Sequence, residues 1–353
     1  MSALVEADFW RGKRVLLTGH TGFKGAWCAL WLRHMGAQVQ GLALAPDTAP
    51  NLYQLAGVDA DLTSRVGDIR DLETVRSAVG EAAPDIVLHM AAQALVRRSV
   101  QAPIETFAAN IMGTAHLLEA LRDAQNLKAA LIVTTDKVYE NPENGRAFSE
   151  TDPLGGHDPY SASKAAAEIV AAAYARTYFA PRGIQVATAR GGNVIGGGDF
   201  SQDRIVPDIY RALRAGEPVA LRNPAATRPW QHVLDCLSGY LAYAQALATR
   251  ADAPHALNFG PLANASVAVA TLVDSMQKAL GAPHGWRLAE GPQPREMQAL
   301  SLDCARARDS LGFRDKLVGV DAIKATANWY LAHARGEDMR AFTLRSITDY
   351  MRA

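Results

Sequence analysis

Neither sign of charge predominates in this chain. Its 353 residues carry 36 Lys and Arg against 36 Asp and Glu, so nothing marks a surface for nucleic acid or an anionic membrane. Cysteine is scarce: Cys28, Cys236 and Cys304 are far apart and odd in number. They offer neither a disulfide framework nor a metal-ligand spacing, and they suit a reducing cytoplasm. No His/Cys/Asp cluster suggests a metal, and the nine histidines read mostly as structural. Long hydrophobic runs are also lacking. None approaches the ~18 apolar residues of a membrane helix, and residues 1–14, MSALVEADFWRGKR, have no apolar signal-peptide core. There is no repeat and no low-complexity stretch. What is present is an ordinary globular composition, 49% apolar and 20% charged. The expectation is a soluble cytoplasmic protein of two packed units.

The first half alternates regularly. Val15-Leu16-Leu17 is a short apolar run, followed by glycines and then AWCALWLRHMG with helical spacing. AQVQGLALA reads as a strand, Leu72–Val79 as a helix and IVLHMAA as a strand. TFAANIMGTAHLLEALRDA reads as a long helix, AALIVTT as a strand, Ser161 to about Tyr178 as a helix and IQVATAR as a strand. This trading of strand and helix predicts βαβ units and a Rossmann-type doubly wound α/β fold on a parallel sheet. After Arg190 the texture changes, with Gly191-Gly192 and Gly196-Gly197-Gly198 punctuating a loop. The expected division is a dinucleotide-binding unit over 1–190, to which 228–260 returns, and a smaller mixed α/β substrate lobe over 191–227 and 261–353.

The stretch VLLTGHTGFKG places Gly19, Gly22 and Gly25 directly after the first strand and at the start of a helix. Glycines three apart allow a tight turn and let a pyrophosphate reach free N–H groups at the helix N-terminus. An acid closing the second strand would bind a ribose 2′-hydroxyl, and an Arg nearby a 2′-phosphate. The strand ends Gly41-Leu42-Ala43-Leu44, with neither, and no Arg or Lys lies between Gly36 and Asn51. The usual discriminator between NAD and NADP is therefore missing. Asp68, in GDIRD, has two readings, a contact to the adenine amine or an N-cap for a helix over 69–79.

DPYSASKAAAE sets Tyr160 and Lys164 four apart on one helix face. An ammonium one turn away, with a positive nicotinamide ring, would lower the tyrosine pKa from near 10 and make it a base. Thr135, at the end of a neighbouring strand, can hydrogen-bond the same substrate hydroxyl. Base, tuning cation and orienting hydroxyl are what hydride transfer from a secondary alcohol needs. Hydride transfer alone has no use for the next two residues of TTDKVY, Asp136 and Lys137. A reaction that also eliminates water would use both. Oxidation of a hexose at C4 acidifies the C5 proton, and Asp136 is a natural acid for the departing C6 oxygen. The plain alternative is a solvated turn.

FWRGKRVLLTGHTGFKG, HMAAQALVRRSV, TTDKVYE, DPYSASK, RGGNVIGGGDF with DRIVPD, and RPWQHVLDCLSGYL span roughly residues 9–260. Together they resemble the nucleotide-sugar 4,6-dehydratases of the extended short-chain dehydrogenase/reductase family. Asp136-Lys137 is similar to the CDP-glucose branch, where other branches mostly read Asp-Glu. An ammonium cannot take a proton, so Lys137 would act deprotonated, through a water, or by stabilising the enolate. The resemblance implies Thr135, Asp136, Lys137, Tyr160 and Lys164 as catalytic. It implies Gly19, Thr21, Gly22, Phe23, Gly25, Asp68, Ile69, Ala91 and Ala92 on the NAD side, joined by Tyr160 and Lys164. On the CDP-glucose side it implies Gln93 and Arg97 near the sugar, Asn193 at the sugar or diphosphate, and Arg204 and Arg228 at phosphate oxygens. No metal, nucleic acid or membrane is called for. A cytoplasmic homodimer in deoxysugar biosynthesis, as for lipopolysaccharide O-antigen, is implied too, with pairing through 104–124 and 161–178. PQPREMQALSLD (292–303) departs from the family's His-Glu-Ala pattern. Two other classes stay open. An epimerase or reductase would keep Tyr160 and Lys164 without the Asp136–Lys137 pair, and a non-catalytic dinucleotide sensor would usually lose the Tyr or the Lys.

Overall fold

The computed structural model describes residues 4–261, 266–281, 284–290 and 300–353. Six strands alternate with helices through the first half: β1 Arg14–Thr18, β2 Gln38–Ala43, β3 Thr63–Val66, β4 Ile86–His89, β5 Ala129–Thr135 and β6 Gln185–Gly191. A seventh, Ala256–Phe259, completes one parallel sheet in the order Ala256–Phe259, β6, β5, β4, β1, β2, β3. β5 is buried along its whole length, as a strand covered by helices on both faces must be, and this is why it reads as an unbroken apolar run. The strand order reverses between β1 and β4. In open α/β sheets ligands bind at that point, beyond the carboxyl ends of the strands.

Local chemistry sets the element ends. Helix Phe23–His34 stops before Gly36 at φ +85°. Helix Pro159–Tyr174 starts on Asp158, whose carboxylate accepts the Ser161 N–H, with Pro159 at the first position, where it loses no hydrogen bond. The long helix expected from Thr106 is divided: Pro103–Phe107, a π turn over Ala108–Met112, then Gly113–Leu121. A second π turn, Ala175–Phe179, ends the helix that carries Tyr160. No pattern of apolar spacing announces such turns, because a single extra residue leaves both flanking helices in phase with their own cores.

Beyond β6, among the described residues, lie three two-stranded ladders, including Val194–Ile195 on Gln231–His232 and Val219–Leu221 on Trp286–Leu288. Helix Val233–Thr249 packs on β5 and β6. The last helix, Met339–Arg352, lies against Phe23–His34, with Trp31 and Tyr350 edge to face at 5.5 Å; the sequence division places it with the second unit. Among the described residues no helix is long and apolar enough to cross a membrane. Between β5, β6 and helix Pro159–Tyr174, Arg190 forms a buried ion pair with Glu168, whose carboxylate also accepts the Thr134 hydroxyl at 2.6 Å. Replacing Arg190 by Met should cost about 3–5 kcal/mol, because the Glu168 carboxylate is left buried and alone. The double substitution Arg190→Met, Glu168→Leu should recover much of that loss in urea denaturation. A single variant unfolding at the parental midpoint would show that the pair stabilises nothing.

Candidate active site

The turn after β1 is a backbone cradle. Gly19 sits at φ +80°, and a Cβ there would lie 2.7 Å from Ala91 N. At Gly25 a Cβ would lie 2.0 Å from the Gly19 carbonyl, whereas at Gly22 the nearest atom is 3.4 Å away. Only glycines let β1, the turn and the loop after β4 approach so closely. No side chain caps helix Phe23–His34, which leaves its first N–H groups to an anion. The cradle therefore fits a pyrophosphate. Thr21 braces it through a 2.8 Å bond from its hydroxyl to the Leu44 carbonyl. Leu44, where an acid or a base would choose between dinucleotides, is 57% exposed. Phe23 packs into the core beside Gly196. Ile69, buried, faces Gly113, and Ala91 N–H is held by the Thr18 hydroxyl at 3.1 Å. Ala92 follows in the same loop, half-buried.

Asp68 is not a helix cap. Helix Leu72–Ala82 begins later, on Asp71, whose carboxylate accepts the Glu73 N–H and the Thr74 hydroxyl. Asp68 instead grips Arg70, and that guanidinium holds its carboxyl below the usual range. The carboxylate stays 29% exposed at the end of β3, which leaves the adenine reading open.

A cavity of about 440 Å³ opens beyond β5 and β6, the size of a small-molecule site. It brings together Thr135, Lys137 and Tyr160 with Arg97, Asn193, Arg204 and Arg228, residues up to 131 positions apart in the chain. Asp136 is 1% exposed behind this wall, its Oδ1 accepting from the Thr135 hydroxyl at 2.9 Å and lying 3.5 Å from Lys137 Nζ. Its other oxygen, Oδ2, is buried without a partner, as is Asn193 Nδ2. Two stranded polar atoms at one cavity wall are unfavourable unless a ligand or water meets them. Gln93 does not face the cavity. Its amide is folded back onto Leu95 and the Thr106 hydroxyl.

Tyr160 differs from the expectation. Burial pushes its phenol up to about 12, a hydrogen bond with Thr135 and the charge of Arg204 pulling partly back. Lys164 does not tune it in this state. Its ammonium is buried and donates to the Val133 carbonyl at 2.7 Å, and burial with the charge of Lys24 brings it down to about 8. The helical spacing put the two residues on one face, but tertiary packing turned the amine toward the strand.

Four neighbours went unassigned in the sequence. Asp203 bridges Arg97 at 2.8 Å, and Asp199 lies 3.6 Å from Arg204, so the GGGDF and DRIVPD motifs hold the guanidiniums as well as supplying one. His157 lines the cavity and pairs with Glu140 at 3.5 Å. Lys24, inside the glycine motif, is forced down by burial. Of 292–303, residues 292–299 lie outside the described residues, while Leu300 lines the cavity and Leu302 is buried.

A family profile described as GDP-mannose 4,6 dehydratase matches residues 16–326. The chain is 44% identical to a CDP-glucose 4,6-dehydratase of Salmonella typhimurium, covering 99% of each. It is 30% identical to a dTDP-glucose 4,6-dehydratase of Xanthomonas campestris pv. campestris over 90% of this chain and 93% of that one. Among solved structures, a dTDP-glucose 4,6-dehydratase from Streptomyces venezuelae with NAD bound superposes with a TM-score of 0.77 at 29% identity, over 92% of this chain and 98% of that one. The cradle yields a direct test. Gly22→Ala should melt with the parent yet bind dinucleotide roughly tenfold more weakly, about 1.4 kcal/mol, whereas Gly25→Ala should lose stability and binding together. Unchanged binding by Gly22→Ala in a fluorescence titration would place the phosphates elsewhere.

Proposed function

The chain belongs to the GDP-mannose 4,6 dehydratase family of nucleotide-sugar dehydratases, and on that premise we propose that it converts CDP-glucose to CDP-4-keto-6-deoxyglucose. The observation that carries this reading is the Asp136–Lys137 pair at the end of β5, its lysine lining the cavity with Tyr160 and its aspartate buried behind that wall, in a chain 44% identical to a CDP-glucose 4,6-dehydratase. NAD is the cofactor, with the glycine cradle for its pyrophosphate and no cation at the β2 terminus for a 2′-phosphate. When bound, NAD supplies the oxidant for C4 and the reductant for C6, so none is consumed overall.

The residues divide the remaining work. Tyr160 takes the C4 hydroxyl proton and Thr135 orients that hydroxyl; with NAD bound, its positive ring, joined by Lys164 once the amine turns from the Val133 carbonyl, would stabilise the phenolate against the burial that otherwise holds it near 12. The 4-ketone acidifies C5–H. As that bond breaks, its electrons form the C5–C6 double bond, the C6–O bond breaks, and Asp136 protonates the leaving oxygen to give water. Lys137, as the free amine, receives the C5 proton through water and returns it to C5 when C6 is reduced. Arg204 and Arg228 meet the diphosphate, Asn193 and Arg97 the sugar side, and Asp68 the adenine. Deoxysugar assembly in the cytoplasm is the setting that suits this product.

A homodimer is part of the proposal. Val100, Ile104, Met112 and Ile169 are 64%, 78%, 49% and 61% exposed on neighbouring helical segments, an apolar face that a second copy would cover. Ile104→Glu with Ile169→Glu should shift the mass in light scattering from two chains to one. An unchanged mass would place the contact elsewhere.

The chemistry is tested by three variants incubated with CDP-glucose. Tyr160→Phe should form neither reduced cofactor nor product. Asp136→Asn should still oxidise C4 but eliminate roughly 10²–10⁴-fold more slowly, so near-ultraviolet absorbance of reduced cofactor persists in a single turnover. Lys137→Ala should retain that oxidation and slow exchange of the C5 proton with deuterium. Normal turnover by Asp136→Asn would move the acid to another residue and sink this assignment.

A further inference from the structure

Behind the cradle runs a set of buried hydrogen bonds to which no catalytic step assigns a role. Thr18, His89, Asn110, Thr114 and Ser163 are each at most 1% exposed. The Thr18 hydroxyl oxygen accepts from the N–H groups of Met90 and Ala91, both at 3.1 Å. Its single proton therefore goes to His89 Nδ1, 2.7 Å away. That fixes the imidazole tautomer, with the proton on Nε2, which donates to the Thr114 hydroxyl oxygen at 3.2 Å. Thr114 in turn donates to the Asn110 carbonyl at 2.7 Å.

Asn110 sits inside the π turn, a backbone irregularity frequent at functional sites. Its side chain brackets the loop after β4, accepting from Gln93 N–H at 2.8 Å and donating to Gln93 O at 3.0 Å. The same amide donates to Ser163 Oγ at 2.8 Å, and Ser163 donates to the Tyr160 carbonyl at 2.7 Å. Every link has a defined donor and acceptor. Burial, with the charge of Lys164 adding, brings His89 down to about 3, so the imidazole stays neutral and the direction of the chain does not reverse near neutral pH. One end is the residue before Gly19; the other is the backbone of Tyr160.

We propose that Thr18, His89, Thr114 and Asn110 are positioning residues that set the separation between the dinucleotide cradle and the Tyr160 phenol. They govern the rate of C4 oxidation and not the affinity for either ligand. Transfer between oriented groups falls by roughly 10²-fold for a misplacement of about 1 Å, whereas ligand contacts spread over the cradle and the guanidiniums tolerate such a shift. The inference rests on the dehydratase reading above.

Thr114→Val replaces the linking hydroxyl with a methyl of nearly the same size. Its kcat should fall by roughly 10–100-fold, while KM for CDP-glucose and Kd for NAD stay within about threefold. Deuterium at C4 should slow the variant more than the parent, because the first oxidation becomes rate-limiting. Thr114→Ser, which keeps the hydroxyl, should recover most of kcat. If Thr114→Val does not fold, Thr114→Ala reads the same link. Parental kcat in the Val or Ala variant, an equal loss in Ser, or a parental isotope effect would each overturn the proposal. Turnover of CDP-glucose by the parent, assayed alongside, separates failure of the dehydratase reading from failure of the spine.

Discussion

Glu168 and Arg190 meet where β5, β6 and the helix carrying Tyr160 converge, and the placement of the reacting groups follows from that meeting. The two side chains are 3% and 5% exposed, so neither charge has water to fall back on. The carboxylate also takes the Thr134 hydroxyl, one residue before Thr135. The guanidinium continues to the Tyr139 hydroxyl, which donates to Asn258 on the outermost strand. Such a pair adds little net stability over an apolar packing of equal volume, because desolvation offsets most of the attraction. Its value lies in specification: a fully satisfied buried network has one good arrangement, and a helix slipped by a residue would strand a charge.

From that anchor the catalytic groups are arranged by burial. Tyr160 and Lys164 are enclosed, and enclosure disfavours the charged form of both, raising one toward 12 and lowering the other toward 8. Two buried polar atoms beside the site, Asp136 Oδ2 and Asn193 Nδ2, are left without a partner. A protein that holds polar groups unsatisfied in its interior sacrifices stability at the place where it works. The guanidiniums of Arg97 and Arg204 follow a different rule. Each is balanced by an acid on a neighbouring loop, Asp203 or Asp199, so this cavity wall is built of pairs that a ligand can compete for.

Much of this was legible in the residues alone. The alternation of apolar runs and helical spacings determined a parallel doubly wound sheet, because strand and helix periods are local properties of ten or so residues. The glycine triplet marked the cradle, since a Cβ at Gly19 or Gly25 would lie 2.7 or 2.0 Å from neighbouring backbone. TTDK and YSASK supplied Thr135, Lys137 and Tyr160, which the structure gathers at one cavity. What spacing could not supply was direction. Tyr160 and Lys164 share a helix face, yet the amine turns to Val133; Gln93 stands in a site motif, yet its amide stitches its own loop; Asp68 precedes a helix that Asp71 caps. In each case the deciding partner lies on another element, or two competing residues stand only three positions apart. The His89–Asn110–Ser163 chain and its π turn join residues 74 positions apart, and no local pattern encodes such a meeting. The sequence determined which chemistries were available and at which end of the sheet; only the packed structure decided which groups spend their hydrogen bonds on the protein and which keep them for a ligand.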